Sequence, residues 1–353
     1  MKRLSTAQYF RRHLLLATLT GESVRIEDIR PNEINPGLRD YEVSFLRLLE
    51  NLTNGSNIEI SYTGTTVVYR PGLLFGGEVE ASFPASRGIG YFLEPVLLLA
   101  PFCKQKLTLT CHGTTSHPLD PSVDVLRTVH MPVLANFGID YGLELRVFKR
   151  AFPPASDGEV VLTFPHQIKT PKTLHALKPA RIRKIRGVAS STRISASTVN
   201  RAIEAARGVL NPLVSDVYIY SDVSKGSKGG YALSLVAEST NGTLYTCELV
   251  AEPEQTPEDL GRNCAFGLLD ETRIGGCVGR HALELALIMM VLGSTDVGRL
   301  RIGKEAMDTN TISLLRDLKV FTGVQARVVP FDDNDLVVSM LGCGFVNANK
   351  KIQ

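Results

Sequence analysis

A polar segment followed by an amphipathic one, KEAMDTNTISLLRDLK from Lys304 to Lys319, contains residue types that can perform acid–base chemistry. Arg316, Asp317 and Lys319 lie close together on a predicted helix. Acid–base catalysis needs a base, an acid and a group that stabilises developing charge. These three side chains can supply those groups, so a catalytic helix is one hypothesis for the segment.

The same helix has a second interpretation, as a solvated surface. Ile312, Leu315 and Leu318 fall on successive turns, and this spacing predicts the buried stripe. The three charged residues would then face water, where neighbouring opposite charges usually pair with one another. We favour this interpretation, in which the helix face is structural or contacts RNA or protein.

Two further clusters resemble metal sites in composition only. His112 and His117 lie near Cys103 and Cys111, but their spacing matches no closed zinc site. The segment FDDNDL at 331–336 lacks the glycine and the distal Glu of a calcium loop and is typical of a solvated hairpin turn. We therefore predict no metal, and the sequence contains no P-loop, nucleophile elbow or dinucleotide fingerprint.

The densest basic run is KPARIRKIRG at 178–187. Such a run can bind RNA or an acidic segment of a partner. The alternative, which we favour, is an edge strand whose charges prevent pairing with another chain.

Composition limits the class of protein. A chain of 353 residues, 44% hydrophobic and 21% charged, suggests roughly two globular domains. The net charge of +3 permits nucleic-acid binding without arguing for it, because dedicated binders concentrate far more Lys and Arg. Six cysteines without a CxxC pair predict a reduced, intracellular compartment. The apolar run LLLATL is too short for a signal peptide, and no apolar run is long enough to span a membrane.

One order of elements recurs three times along the chain. The pattern helix, strand, helix, strand, strand covers residues 10–72, 88–165 and 278–341. Left-handed C-caps are predicted where helical patterns end in glycine, at Gly21, Gly55, Gly138, Gly293 and Gly323. Because no single unit can bury its own sheet, we expect an α/β large domain of three βαβαββ-type units around a pseudo-threefold core.

The stretch between the second and third units has its own order and predicts a small inserted α/β domain. Asn241-Gly242 between two strand patterns predicts a type I′ hairpin. Thr256 and Pro257 predict the cap and first residue of a last helix. The predicted bounds are 1–186 with 277–353 for the large domain and 187–276 for the insert.

Several segments, spread over nearly the whole chain, resemble the RNA 3′-terminal phosphate cyclase family. IRPNEINPGL at 29–38 is similar to the family's early loop, and GTTVVYRPG at 64–72 to its next hairpin. FPPASDGEV at 152–160 lies where the family has a proline and a glycine run. MDTNTISLLRDL at 307–318 lies where it has a catalytic His, two residues, Thr-Asn and a helix. The resemblance implies a three-unit large domain with a small domain inserted before the third unit.

The departures from the family pattern bear on activity. The glycine-rich EGGGQ run of cyclases corresponds here to STAQYFRR, and the later glycine run is interrupted by Ser156 and Asp157. Side chains at such positions keep backbone N–H groups away from a phosphate. The nucleophilic His of the family corresponds to Ala306, whose methyl group cannot take the adenylate from ATP. The resemblance therefore implies neither cyclase activity nor a cofactor.

Segments such as DYEVSFLRLLENLTNGS and LLRDLK are similar to the eukaryotic, nucleolar, non-cyclase branch of that family. This implies a pseudoenzyme of ribosome biogenesis in the nucleus and nucleolus. It would act in early pre-rRNA processing towards 18S rRNA and the small subunit, within the small-subunit processome. The implied partners are pre-rRNA and a large nucleolar GTPase that the protein binds and activates. The alternative function in that branch is a pre-rRNA endonuclease using Arg316, Asp317 and Lys319.

The resemblance also implies an anion-binding cleft. The candidate cations for RNA or phosphate, at or near positions of the family's cleft, are Arg11, Arg30, Arg39, Arg70, Lys149 and Arg150. A guanidinium group presents a planar fork that suits phosphate. The alternative is that some of these cations pair with the neighbouring acids Glu33, Asp40 or Glu159.

Overall fold

The computed structural model describes residues 1–165, 167–178, 180–347 and 349, so Pro179 of the basic run lies outside the described residues. Helices and strands alternate along the chain, which confirms the α/β class. The helices are α1 (Phe10–Thr20), α2 (Asp40–Leu52), α3 (Ile89–Leu99), α4 (Val123–Val125), α5 (Met131–Ala135), α6 (Ala196–Leu210), α7 (Pro257–Ile274), α8 (Leu283–Val291) and α9 (Thr309–Thr322). A π-helical turn at Leu126–His130 joins α4 to α5. None of the helices within these ranges is long and apolar enough to cross a bilayer.

The strands are short, and most belong to four-stranded sheets. They are β1 (Lys2–Ser5), β2 (Val24–Glu27), β3 (Thr53–Asn54), β4 (Asn57–Ile60), β5 (Val67–Arg70), β6 (Leu73–Leu74), β7 (Gly77–Ser82), β8 (Leu107–Gly113), β9 (Glu144–Lys149), β10 (Gly158–Phe164), β11 (His175–Ala176), β12 (Ile182–Thr192), β13 (Val217–Ser224), β14 (Gly230–Ser239), β15 (Leu244–Val250), β16 (Val297–Gly303), β17 (Arg327–Pro330) and β18 (Asp335–Leu341).

Three sheets of the described chain share one strand order. They run β1-β2-β5-β4, β7-β8-β10-β9 and β11-β16-β18-β17, and we call them the first, second and third sheets. In each sheet the first pair of strands is parallel and the other pairs are antiparallel. The strand that begins each sheet precedes the first helix of its unit. The packing of the three units around a pseudo-threefold axis stays a prediction.

The core of the large domain is built on helices that are apolar on nearly every side. All residues of α8 except Glu284 are buried, and so are all residues of α3 except Glu94. A helix that is apolar all round must be surrounded by protein. These helices and α1 pack with the inner faces of the three sheets in one continuous hydrophobic cluster.

The small sheet runs β13-β12-β14-β15 and carries α6 and α7 on one face. Its separate core includes Ile185, Leu235 and Leu268. Thr256 caps α7 as predicted, since its hydroxyl accepts from the backbone N–H of Asp259. The hairpin between β14 and β15 is confirmed, but the type I′ turn is wrong. The loop between the two strands spans residues 240–243, and within it only Gly242 has a positive φ, whereas a type I′ turn needs two consecutive left-handed residues.

The basic run and the start of the insert both differ from their predictions. β12 begins at Ile182, so the insert boundary expected at residue 187 falls inside a strand. The strand that contains the basic run lies second in its sheet, so the edge-strand prediction is wrong. Its charges are compensated instead: Lys184 lies 2.9 Å from Glu238, and Arg186 lies 2.8 Å from Asp216.

The predicted glycine caps divide into three groups. Gly21 and Gly323 cap α1 and α9 in the left-handed conformation, as expected. Gly55 and Gly138 have positive φ values but lie beyond the residues that cap their helices. Gly293 is not in the left-handed region, so that prediction is wrong.

Candidate functional site

A polar cavity of about 660 Å³ lies where the N-terminal ends of five helices meet. α1, α2, α3, α8 and α9 each place first-turn or adjacent residues on its wall. Helix N-termini carry partial positive charge and unpaired N–H groups, so such a junction favours anions. The helix N-termini therefore give the cavity a positive potential of the kind that a phosphate site needs.

Charged side chains line this polar cavity in equal numbers. Its arginines are Arg11, Arg12, Arg30 and Arg87, and its acids are Asp28, Glu33, Glu42 and Glu284. The protein's own carboxylates thus lie where the helix ends and arginines would otherwise attract an external anion. Sequence reasoning identified Arg11 and Arg30 but missed Arg12, adjacent to Arg11, and Arg87, just before α3.

Each arginine of the cavity is held by a carboxylate. Arg11 Nη2 lies 2.7 Å from Glu94 Oε2. Arg30 pairs with Glu42, and Arg87 with Asp120. These pairs satisfy the guanidinium groups with buried or half-buried partners, so a phosphate would have to displace a charge-assisted hydrogen bond to bind.

Arg12 is the most enclosed cation of the cavity. Its guanidinium donates to both carboxylate oxygens of Glu284 at 2.9 Å and to Asn310 Oδ1 at 2.5 Å. Its guanidinium carbon also lies 4.5 Å from the ring centre of Tyr9. Arg12 therefore joins α1 to the starts of α8 and α9.

An aromatic ring fixes two more of these arginines. The guanidinium carbons of Arg11 and Arg87 lie 4.7 Å and 4.3 Å from the ring centre of Tyr91. Burial raises the pKa of Tyr91, so its hydroxyl stays protonated at neutral pH. The cations are thus held by a neutral ring as well as by acids.

The other predicted cations do not line the polar cavity in the described structure. Arg39 pairs with Glu33, which confirms one of the pairings considered from the sequence. Arg70 donates to Glu59 at 2.5 Å, and Lys149 lies 2.7 Å from Asp157. These cations are therefore dispersed over the molecule instead of converging on a single anion.

The prediction that Arg150 binds an external anion is wrong. Only 1% of its side chain is exposed, and both of its charged partners belong to the protein. It lies 2.6 Å from Asp124 in the large domain and 2.7 Å from Asp222 on β13 of the insert. With both partners in place, Arg150 links the small sheet to the second unit and cannot reach an external anion.

Ala306 is enclosed, with 3% of its surface exposed. Its carbonyl accepts a 2.9 Å hydrogen bond from the Thr311 hydroxyl, and Asp308 caps α9 next to it. Ala306 is not among the described residues that line the polar cavity, although Asn310 is. The position that corresponds to the family's nucleophile is therefore closed by packing.

The charged residues of α9 do not form a common site. Asp317 faces α1, where its carboxylate lies 3.4 Å from both Arg12 and His13. Arg316 and Lys319 are exposed, and Lys319 donates to Gln325 at 3.0 Å. The expectation that all three face water is wrong for Asp317.

The reason is a different buried stripe. Thr311, Leu314, Leu318 and Phe321 are buried, whereas Ile312 is 39% exposed. This rotates α9 relative to the predicted orientation and turns Asp317 towards α1. A helix with few strongly apolar positions defines its buried side weakly, so the sequence alone did not fix this rotation.

A half-buried acid between the small sheet and the large domain was also missed. Glu248 on β15 accepts a 2.9 Å hydrogen bond from the backbone N–H of Ser122 in the large domain. Burial, reinforced by the nearby carboxylates of Asp124 and Asp120, raises the pKa of Glu248 to about 7. No charge pattern around Glu248 in the sequence indicates this environment.

Comparison with known proteins shows which family the chain belongs to. The family model described as RNA 3′-terminal phosphate cyclase matches residues 3–328. The chain is 43% identical to the rRNA processing protein rcl1 of Schizosaccharomyces pombe, over 100% of this chain and 99% of that protein. It is 44% identical to the rRNA processing protein RCL1 of Saccharomyces cerevisiae and 43% identical to the RNA 3′-terminal phosphate cyclase-like protein of Homo sapiens, each over 98% of this chain and 96% of the relative. With a family match across most of its length, the chain belongs to the RNA 3′-terminal phosphate cyclase family.

Proposed function

We propose that this protein is a non-catalytic rRNA processing factor built on a cyclase scaffold. Full-length similarity to proteins named for rRNA processing supports the process. The observation that carries the proposed absence of catalysis is the polar cavity, in which each arginine is held by an internal carboxylate. Ala306 is buried and is not among the described residues that line this cavity. On this proposal the protein acts in the nucleolus, in early pre-rRNA cleavages towards 18S rRNA, as a component of the small-subunit processome.

The proposed partner is a large nucleolar GTPase that the protein binds and activates. The exposed side chains of Arg316 and Lys319 support a contact role for α9, because they lie in solvent on a helix anchored at Asp317. Purified full-length protein is expected to retain the GTPase in a pull-down and to accelerate its nucleotide exchange. Absence of both effects would remove the GTPase from the proposal.

Pre-rRNA processing itself is tested by depletion and rescue in cells. Loss of the protein should reduce 18S rRNA and leave 25S or 28S rRNA nearly unchanged, and the full-length chain should restore it. Equal reduction of both rRNAs, or of neither, contradicts the proposed process.

Adenylate transfer is tested with ATP labelled at the α-phosphate. A catalytically active family cyclase serves as the positive control and should show a labelled protein band. This protein should show none, because Ala306 offers no nucleophile and the cavity arginines are already paired. A labelled band that survives denaturation would overturn the assignment.

The endonuclease remains the second candidate, because α9 carries the residue types for it. A pre-rRNA fragment is incubated with wild-type protein and with Asp317→Ala, with unfolding midpoints measured for both. We expect no specific cleavage by either protein. Specific cleavage that disappears in Asp317→Ala but persists in the neighbouring Ile312→Ala variant would favour the endonuclease instead.

A further inference from the structure

The outer face of the third sheet contains a row of polar side chains that crosses all its strands. His175, Arg299, Ser339 and Arg327 stand opposite one another in register on β11, β16, β18 and β17. The alternate residues Leu300, Val338 and Met340 are buried on the inner face. The row therefore points away from the core.

Two arginines of this row have no internal partner. Arg299 and Arg327 are exposed and have neither an ion pair nor a side-chain hydrogen bond within the described part of the chain. Their strands are separated by β18 alone, which places their backbones roughly 10 Å apart. Arg301 on the same face is different, because Asp332 and Asp335 pair with it.

Apolar side chains flank the two arginines. Val297 and Leu341 stand opposite each other at one side of the row, 38% and 50% exposed. Val329 and Leu177 lie at the other side, and together these residues line an open groove of about 680 Å³. Exposed apolar side chains interleaved with unpaired cations are typical of a contact surface rather than of a solvated face.

The outer faces of the other two sheets lack this combination. On the first sheet, the row that begins at Arg3 and Arg25 ends at Glu59, and Arg25 pairs with Glu27 at 2.5 Å. Arg3 is exposed and has no partner among the described residues, but no second unpaired arginine of the described residues stands in its row. On the second sheet, the row runs from Glu80 on β7 to Arg146 on β9, and Arg146 pairs with Glu144 at 2.6 Å. Two unpaired arginines in one row without an acid therefore do not follow from the strand order that the three sheets share.

We propose that this face binds an extended, acidic segment of a partner protein, with its carboxylates on Arg299 and Arg327 and its apolar side chains against Val297 and Leu341. Charge complementarity requires an anionic occupant. The aliphatic flanks favour a peptide over RNA, because base stacking needs open aromatic faces. The only aromatic ring lining the groove in the described structure is Phe331, and the guanidinium of Arg301 lies 4.2 Å from its centre.

This inference extends the proposed function by giving it a docking surface, and it rests on that function only in requiring a protein partner. The occupant is identified by site-specific photo-crosslinking in cells. One full-length variant carries the photoreactive residue p-benzoylphenylalanine in place of Leu341. The matched control variant carries it in place of the fully exposed Tyr62. Crosslinked material is analysed by mass spectrometry for both peptides and nucleotides.

The expected result is a crosslink from position 341 to a protein segment with Asp or Glu alternating with apolar residues. Its yield should fall at least tenfold when Arg299→Glu and Arg327→Glu are added. Arg299→Lys with Arg327→Lys should keep most of the yield, because the charge is kept. The control Arg47→Glu changes another exposed arginine without a partner in the described residues and should leave the yield unchanged.

The crosslinked segment is then synthesised and titrated against the purified full-length proteins. We expect its dissociation constant to rise at least tenfold with the double charge reversal and also with added salt. Nucleotide adducts, a yield no higher than that from position 62, or insensitivity to charge reversal would each overturn the proposal. The 18S rRNA measurement in depleted cells is separate, so failure of the docking surface and failure of the rRNA processing role are distinguishable.

Discussion

The polar cavity and the outer face of the third sheet both present arginines, but they differ in what those arginines contact. In the cavity, Arg12 and Arg30 are held by the carboxylates of Glu284 and Glu42. On the third sheet, Arg299 and Arg327 have no partner in the described chain. The cavity has the helix ends and the shape of an anion site, yet its charge is already compensated.

The difference teaches that the number of arginines does not identify a binding surface. A buried arginine paired with a carboxylate stabilises the fold only as long as both partners remain, since either one alone is an uncompensated charge. An exposed arginine without a partner contributes little to folding. Loss of stability and loss of binding should therefore separate the two groups of arginines.

The largest effect is expected from Arg150→Met, which removes the most deeply buried of the paired arginines. Asp124, with 2% of its side chain exposed, would lose its buried cation and keep only the more exposed Arg127, 3.1 Å away. We expect the free energy of unfolding to fall by about 3–5 kcal/mol, measured by urea denaturation. The control is Arg146→Met on β9, just before Arg150 in the chain, whose pair with Glu144 is exposed and should contribute far less to stability. Equal losses would break the distinction between buried and exposed pairs.

Arg12→Met tests the cavity itself. The substitution removes the bonds to Glu284 and Asn310 but leaves Glu284, whose side chain is 26% exposed, able to regain water. We therefore expect a smaller loss, about 2 kcal/mol, from the same urea titration. If Arg12 instead served only an external anion, the variant would keep its stability and lose sulfate binding, and that outcome would contradict the structural role.

Glu248→Gln examines a half-buried acid that has no arginine partner among the described residues. The folded-state pKa of Glu248, about 7, lies above its ordinary value of 4.5, so folding favours the protonated form. The stabilisation is complete below pH 4.5 and is lost as the pH rises through 7. Relative to Glu248→Gln, wild type should lose about 1–2 kcal/mol between pH 5 and pH 8. Parallel pH profiles of the two unfolding midpoints would show that the carboxyl remains solvated.

The smallest effect on stability is expected from Arg299→Ala with Arg327→Ala. Neither side chain has a partner to lose among the described residues, so the free energy of unfolding should change by less than about 0.5 kcal/mol. Thermal melting of the double variant checks this directly. A loss as large as that of Arg12→Met would place these arginines with the structural group and remove the contrast between the two regions.

Much of the fold was accessible from the sequence because its helices are long and apolar. The helical pattern around Leu285 and Leu287 predicted α8, and the cap at Thr256 predicted the start of α7. The strands β1, β7 and β11 were not predicted. β11 has only two residues and depends on pairing between His175 and Arg299, which lie far apart in the chain. Local periodicity cannot report such pairing.

The site was less accessible than the fold. The family motif identified Ala306 as the position of the nucleophile, but whether the arginines of the polar cavity were free depended on distant acids such as Glu284 and Asp120. Arg150 looked like a phosphate ligand because its partner Asp222 lies in another domain. Residue type predicts which ions a side chain can bind. Whether an internal carboxylate already occupies that side chain depends on the three-dimensional fold.

The position of β11 has a consequence for the order in which the molecule is made. A ribosome synthesises β11 first, then the whole small sheet with α6 and α7, and only afterwards β16, with which β11 pairs. The small sheet has its own core and can fold during that interval. The third sheet, with its outward row of arginines, is therefore completed last. A partner that recognises this face would select only chains whose synthesis and folding are finished.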